Sequence, residues 1–390
     1  MPTDLACPDC GRSYDAGPDE PWRCDCGHPL EFADRPRPDR PAPDFAELDT
    51  RAGLWAFEEF LPIPPEVTLG EGFTPLQDAS TALDATDSTD APDWGENVQF
   101  KLEYVFPSGS FKDRGATATL SRAAQLGVEK VVEDSSGNAG AAIAQYAARA
   151  GIDADIYVPA DAKASKLAAI ERVGATPIRV EGTRQDVTDA CIEAVESKSG
   201  GGDPEEDGDE TGWYASHAWN PAFFAGTATF AFEVAAQRDW AVPDAVVTPL
   251  GHGTLFLGAY RGFRALKDAG WTDRMPRLLG AQAAGYAPIA AELHGEEAAA
   301  GDNSVADGIQ ILDPARKDQI LDAIAETGGD AIALDSDAVA DALDRLHRGG
   351  FYTEPTCAVA PAALARFRER GVLDDDEDVV VPLTGSGLKS

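Results

Sequence analysis

The sequence predicts an α/β protein of two domains, each with a parallel twisted sheet flanked by helices, plus a small cysteine module at the N-terminus. Three observations carry that prediction. From residue 99 onward, short apolar runs such as KVVED and DAVVTPL alternate with helical stretches, the rhythm of parallel sheets covered on both faces. A length of 390 residues exceeds what one hydrophobic core usually fills. Four of the six cysteines crowd into residues 7–26, while Cys191 and Cys357 stand far apart, which is not a disulfide framework.

Taken in order, residues 1–33 are the cysteine module and 34–48 a proline-rich linker. Its ADRPRPDRPAP favours extended polyproline geometry and should separate two folding units. LWAFEEFLP reads as helical and GEGFTPL as a loop. VQFKLEY is a strand, 112–126 a helix and KVVED a buried strand. Then come a helix over Asn138–Arg149, the strand ADIYVP, a helix near 163–172, the strand TPIRV and a helix near 184–197. GGGDPEEDGDE at 200–210 reads as a flexible acidic loop. A second α/β run is expected to start near WYASHAWNP, with a helix at 222–238, the strand DAVVTPL, a helix at 255–268, the strand RLLGAQ and the terminal VVVPLTGSGLKS. The smaller α/β domain is expected to span 103–215, and the larger one 49–102 together with 216–390. No repeat of solenoid period is present.

The formal net charge is −36, from 68 acidic and 32 basic residues, of which only nine are lysine. Such a field repels nucleic acid and anionic membranes, so neither is an expected partner. With 43% hydrophobic residues and sustained periodicity, disorder from like charge is excluded. Acidic residues spread over nearly every segment suggest a salt-adapted surface, as in a halophile. The start MPTDLACPDC lacks a basic, then apolar leader, and no run of 18 apolar residues occurs. The expectation is a cytoplasmic protein.

Cys7-Pro-Asp-Cys10 is followed by Cys24-Asp-Cys26-Gly-His28. Two thiolate pairs on tight turns suit a tetrahedral Zn²⁺, and a module this small needs such a staple. Cys7, Cys10, Cys24 and Cys26 are the expected ligands of a structural zinc ribbon, with His28 able to replace one. Four protein ligands would leave no open position for catalysis.

Three glycine-rich turns follow strands. Ser135-Ser136-Gly137-Asn138 opens a helix and offers amides and hydroxyls to a carboxylate. Gly251-His252-Gly253-Thr254 opens another and suits a phosphate. Its glycines at 251, 253 and 258 miss the dinucleotide spacing. Thr384-Gly385-Ser386-Gly387-Leu388-Lys389 is not a P-loop, because leucine rather than glycine precedes its lysine. Each turn alone is unremarkable, but alongside PSGSFKDRGA, with Lys112 at a helix start, they form the parts of a pyridoxal phosphate (PLP) site. Lysine is the side chain that can join that cofactor covalently, and its amine must lose a proton to do so. Ser108, Gly109 and Ser110 would let a flat ring approach closely.

SGSFKDRGA, SSGNAGAAIAQYAARAG, GEGFTPL, WNPAFFAGTATFAFEVAAQ, EPTCAV and LTGSGLK resemble the threonine synthases, within the tryptophan-synthase-β-like group of fold type II PLP enzymes. The likeness runs from about residue 50 to 390 in the family's motif order, and the cysteine module resembles an extension seen on some members. The resemblance implies that Lys112 holds PLP and moves protons and that Asn138 bonds its phenolic oxygen. It also implies that Gly251, His252, Gly253 and Thr254 cradle its phosphate and that Thr384 faces its ring nitrogen. Ser110, Ser135, Ser136 and Gly137 would bind the amino-acid substrate. The reaction implied is O-phospho-L-homoserine plus water to L-threonine plus phosphate. Members are often dimers, so a homodimer is the expectation by analogy. Three positions depart from the family: SSGNAG in place of S-T-G-N, GHGTL in place of a GNGG-type loop, and Ser386 where many members carry histidine. They leave a dehydratase, a cysteate synthase or a cysteine synthase as alternatives, with a non-catalytic zinc-ribbon scaffold as a remote one.

Overall fold

The computed structural model describes residues 1–80, 94–197 and 212–389. The acidic 200–210 stretch lies outside them. The chain divides into two compact units: Met1–Pro36, Phe57–Glu71 and Lys112–Gly226 make the first, and Arg37–Ala56, Gly72–Phe111 and Thr227–Ser390 the second.

The first unit holds a four-stranded sheet in the order Thr176–Val180, Asp153–Pro159, Lys130–Glu133, Trp213–Tyr214. Every pairing in it is parallel. Helices Lys112–Leu126, Asn138–Ala150, Ala164–Arg172 and Arg184–Glu196 accompany these strands, close to their predicted bounds. Val131, Ile156 and Val158 pack with Leu120, Ile143 and Tyr146 in one buried cluster, as β-branched strands facing alanine-rich helices should. One expectation is corrected: WYASHAWNP does not begin the second α/β run. Trp213 and Tyr214 pair with Val131 and Val132 and close the edge of the first sheet. Glycine permits close packing here, since a Cβ on Gly226 would sit 1.9 Å from the Arg114 carbonyl oxygen.

The cysteine module belongs to this unit. Its three two-residue strands pair antiparallel in the order Ser13–Tyr14, Leu5–Ala6, Glu31–Phe32. It does not stand apart from the rest. Glu20 meets Arg122 of the Lys112 helix at 2.5 Å, and both side chains are almost fully buried. Arg122 also donates to the Thr3 carbonyl at 2.8 Å. Trp22 packs edge-on against Tyr214 and Trp219, with ring centroids 5.4 and 4.8 Å away.

The second unit is built on a six-stranded sheet ordered Asp330–Leu334, Arg277–Ala283, Ala245–Pro249, Val379–Pro382, Val98–Lys101, Leu76–Asp78. All neighbours run parallel except the edge strand Leu76–Asp78, which is antiparallel. Helices Thr254–Asp268, Lys317–Thr327, Ser336–Arg348 and Val359–Glu369 accompany it, and Phe100, Val247, Leu279, Val381 and Phe367 lie in its buried core. The proline-rich stretch ADRPRPDRPAP carries no regular secondary structure and is packed: Trp271 Nε1 donates to the Arg40 carbonyl at 2.8 Å and Trp240 Nε1 to that of Pro43 at 2.7 Å. Of LWAFEEFLP, expected to be helical, residues 54–60 belong to a 3₁₀ stretch over Thr50–Phe60. Lys101 is fully buried, reaching Glu233 at 2.8 Å, Gln237 at 2.8 Å and the Thr74 carbonyl at 2.6 Å, which ties down the GFTP loop. No helix among the described residues is long and apolar enough to cross a membrane.

Candidate active site

In the first unit, Lys112 is the first residue of its helix and half-buried. Its Nζ lies 5.7 Å from the centre of the Phe223 ring. The helix start is anchored beside it, because the Tyr146 hydroxyl reaches Glu71 at 2.9 Å and Asp113 at 3.3 Å. Burial, then the charge of Asp113, holds the Tyr146 phenol above its usual range, so it keeps the proton it donates. Ser135, Ser136, Gly137 and Asn138 follow the strand Lys130–Glu133 and open the next helix. Gly137, extended at φ −93°, is the N-cap, and no side chain caps the helix there. First-turn amides without a side-chain cap, beside two serines, have the chemistry to receive a carboxylate. Ser135 Oγ accepts from the Gly137 N–H at 3.2 Å, which fixes the turn.

One pair in this unit is not legible in the sequence. Glu133 Oε1 lies 2.6 Å from His217 Nδ1, and Glu133 Oε2 accepts the His217 N–H at 3.2 Å. Both residues are buried. Burial, then the neighbouring Asp134, raises the Glu133 carboxyl well above the ordinary carboxylate range. The His217 and Phe223 rings stand 6.1 Å apart, so Phe223 has the dyad on one side and Lys112 over its face.

In the second unit, strand Ala245–Pro249 delivers the turn Gly251-His252-Gly253 to the helix Thr254–Asp268. Gly253 is the N-cap at φ +77°, a left-handed conformation that glycine adopts without strain. A Cβ there would also meet Ile320 at 2.5 Å, so the turn can be this tight only with glycine. The helix start therefore presents backbone N–H groups at its positive end, a cradle for an anion.

Thr384 lies just past the strand Val379–Pro382, and its segment pairs with the one before Lys112. Phe111 N–H donates to the Thr384 carbonyl at 3.0 Å, Ser386 N–H to that of Gly109 at 2.9 Å, and Ser110 bridges Gly385. PSGSF and LTGSG, remote in sequence, are thus joined in one unit. The Ser110 hydroxyl is fully buried there without a hydrogen-bond partner. A buried hydroxyl left so is costly, and a bound polar group would relieve it. Cys357 Sγ sits 3.3 Å from Thr384 Oγ1.

The four N-terminal thiols form a second centre. Cys7 and Cys26 Sγ are 3.5 Å apart, Cys10 and Cys24 Sγ 3.4 Å, and all four lie within 4.8 Å of one another. Four sulfurs about 2.3 Å from a tetrahedral Zn²⁺ stand ~3.8 Å apart, so the cluster has the right size. The Cys26 N–H, then the Tyr14 hydroxyl, lowers the Cys24 thiol to about 6, which favours the ligating thiolate. His28 Nδ1 faces Asp9 at 3.6 Å and Cys26 Sγ at 3.8 Å, outside this set of four.

Residues 67–385 match the family of pyridoxal-phosphate dependent enzymes. The chain belongs to that family. It is a fold type II enzyme and a PLP-dependent lyase. A threonine synthase of Methanocaldococcus jannaschii is 32% identical over 98% of this chain and 92% of its own length. One from Methanosarcina acetivorans is 32% identical over 89% and 82%. Among solved structures, an L-serine ammonia-lyase from Rhizomucor miehei matches with a TM-score of 0.63 at 23% identity, over 80% of this chain and 93% of that one, which supports the fold alone. The residues present fit the cofactor: a lysine at a helix start, an uncapped helix N-terminus, a glycine cradle and an unpartnered buried hydroxyl beside Thr384.

Proposed function

We propose that the chain is a threonine synthase of amino-acid biosynthesis, converting O-phospho-L-homoserine and water to L-threonine and phosphate. The observation that carries this reading is the alignment with two relatives of that name along 98% and 89% of the chain, the longer of which takes in the cysteine module. PLP, when bound, withdraws electrons from the substrate and stabilises negative charge at its carbons. Lys112 would hold the cofactor and, as a neutral amine, take the Cα proton and then one Cβ proton, and it would return protons to Cγ once phosphate has left and to Cα at the end. Asn138 donates to the cofactor's phenolic oxygen, and Gly251, His252, Gly253 and Thr254 take its phosphate. Thr384 offers the ring nitrogen a hydroxyl rather than an acid, which leaves that nitrogen unprotonated. Ser110, Ser135, Ser136 and Gly137 orient the substrate, with its carboxylate on the uncapped amides. Phosphate departs from Cγ and water adds at Cβ. Cys7, Cys10, Cys24 and Cys26 bind a structural zinc ion.

Phosphate and ammonia release, followed side by side with O-phosphohomoserine and with serine or threonine, tests the assignment. Phosphate and threonine from the first, without ammonia from the others, are expected. Ammonia with a 2-oxo acid and no phosphate would make the protein a dehydratase instead.

The net charge of −36 suits a cytoplasm of high salt. Salt shortens the reach of carboxylate repulsion from about 10 Å at 0.1 M to about 3 Å at 1 M. The melting temperature is therefore expected to rise steadily with KCl over that range. A flat or falling curve would argue against salt adaptation.

A further inference from the structure

Cys357 lies in the motif EPTCAV, in a short 3₁₀ turn, Pro355–Ala358, that leads into the helix Val359–Glu369. It is fully buried. Its sulfur makes three contacts, all with the turn after strand Val379–Pro382. The Gly385 N–H donates to Sγ at 2.9 Å, the thiol donates to the Gly385 carbonyl at 3.2 Å, and Sγ lies 3.3 Å from Thr384 Oγ1. A cysteine that only filled space would not be surrounded by three polar atoms of one turn. The Cys357 backbone is itself pinned, since its N–H donates to the Glu354 carbonyl at 3.1 Å and the Glu354 N–H to that of Gly385 at 3.0 Å. The sulfur is therefore held against the turn from both sides.

The proton count is informative. Thr384 Oγ1 has one hydrogen to give and can accept from elsewhere; the thiol likewise has one hydrogen. Burial, then the charge of Glu354, pushes the Cys357 thiol up to about 12, so it stays protonated at neutral pH. The thiol's one hydrogen can go to the Gly385 carbonyl or to Thr384 Oγ1; when it goes to Thr384, the Gly385 carbonyl keeps the Glu354 N–H and the Thr384 hydroxyl is free to turn its own hydrogen to an outside acceptor. Without such an acceptor, the hydroxyl can turn back onto sulfur. Either way no buried hydrogen-bonding group is stranded.

We propose that Cys357 is a positioning residue that orients the Thr384 hydroxyl toward the cofactor's ring nitrogen. This rests on the assignment of Thr384 to that nitrogen. Cys357 touches neither substrate nor cofactor in this account. It acts through the direction in which one hydroxyl points and through the Gly385 amide that fixes the turn.

A double-mutant cycle read by cofactor binding tests it. PLP is titrated into the cofactor-free forms of wild type, Cys357→Ala, Cys357→Ser, Thr384→Val and the Cys357→Ala/Thr384→Val pair. The readouts are Kd, the position of the visible absorption band and the melting temperature without cofactor. Thr384→Val is expected to weaken PLP binding and move the band. Cys357→Ala should weaken binding about fivefold, the ratio for one hydrogen bond of ~1 kcal/mol, with a band shift in the same direction. The pair should bind no worse than Thr384→Val alone, because both changes remove one interaction. Cys357→Ser keeps a hydroxyl on a shorter bond and should fall between wild type and Cys357→Ala, with the band nearer wild type. Fully additive effects in the pair, or an unmoved Kd and band in Cys357→Ala despite a lower melting temperature, would overturn the proposal and leave Cys357 a packing residue. An unchanged Kd and band in Thr384→Val would overturn the Thr384 assignment and the proposal with it.

Discussion

Lys112→Ala is expected to lose both the covalent cofactor and turnover while keeping the fold. A cation on the first turn of a helix opposes the helix macrodipole, so Lys112 does not sit where stability would place it. Asp113 follows at once and is tied to Tyr146, which offsets that cost. Removing the ammonium should therefore leave the melting temperature within a few degrees of wild type or slightly above it. Borohydride reduction of the PLP-loaded wild type should leave a pyridoxyl adduct on the peptide containing Lys112, and none on the variant. The rate of phosphate release should fall by at least about three orders of magnitude, since the nucleophile and the proton carrier vanish together. Lys112→Arg sharpens the result. It keeps the charge but cannot give up its proton, so it should be as inactive as the alanine variant. Activity retained by either variant, or an adduct mapped to another lysine, would remove Lys112 from the chemistry.

The second large effect concerns the cysteine module. Chelating the zinc proposed for the four thiols, or Cys24→Ser, should lower the melting temperature of the whole protein by roughly 10 °C rather than release a tail that the rest ignores. The module is bolted to the Lys112 helix by the buried Glu20–Arg122 pair and to the edge strand by Trp22 on Tyr214. Unfolding it leaves Arg122 facing a lost partner, a change that costs about 3–5 kcal/mol when one member of a buried pair is removed. For domains of a few hundred residues, 1 kcal/mol moves the midpoint by about 2–4 °C. The Tyr214 hydroxyl also donates to Asp134 at 3.0 Å, one residue before the serine turn, so cofactor-binding affinity should fall too. Zinc measured at one equivalent in the purified protein, and zero in the variant, identifies the metal. A chelated protein with an unchanged melting curve would reduce the module to an appendage.

The regular part of the fold was legible because its period is clear. The helix 112–126 and strands such as KVVED have strong apolar periodicity bounded by glycine or charge, and they appear where expected. The stretch from 288 to 369 was silent for a physical reason. Asp330–Leu334 reads DAIAL, short and alanine-rich, and serves helix and strand equally well. Trp213–Tyr214 is a two-residue strand whose partner, Val131–Val132, lies some eighty residues earlier, and no local pattern reports such a pairing.

The site divides in the same way. Lys112 and the three glycine turns are visible in sequence because they occur together, each turn directly after a strand, although any one of them alone reads as an ordinary turn. Glu133 with His217, and Cys357 with Thr384, are pairs made by the fold. A lone buried glutamate and a lone buried cysteine carry no signal in sequence. The Glu133 in KVVED could only have been flagged as an acid in an apolar strand that needs a partner.

The most direct test of the central claim is turnover of O-phospho-L-homoserine in ¹⁸O-labelled water, with products read by mass spectrometry. Addition of water at Cβ after loss of phosphate from Cγ puts one ¹⁸O in the threonine hydroxyl and none in the phosphate. Label in the phosphate with homoserine as the other product, or ammonia and a 2-oxo acid with no phosphate at all, would contradict it.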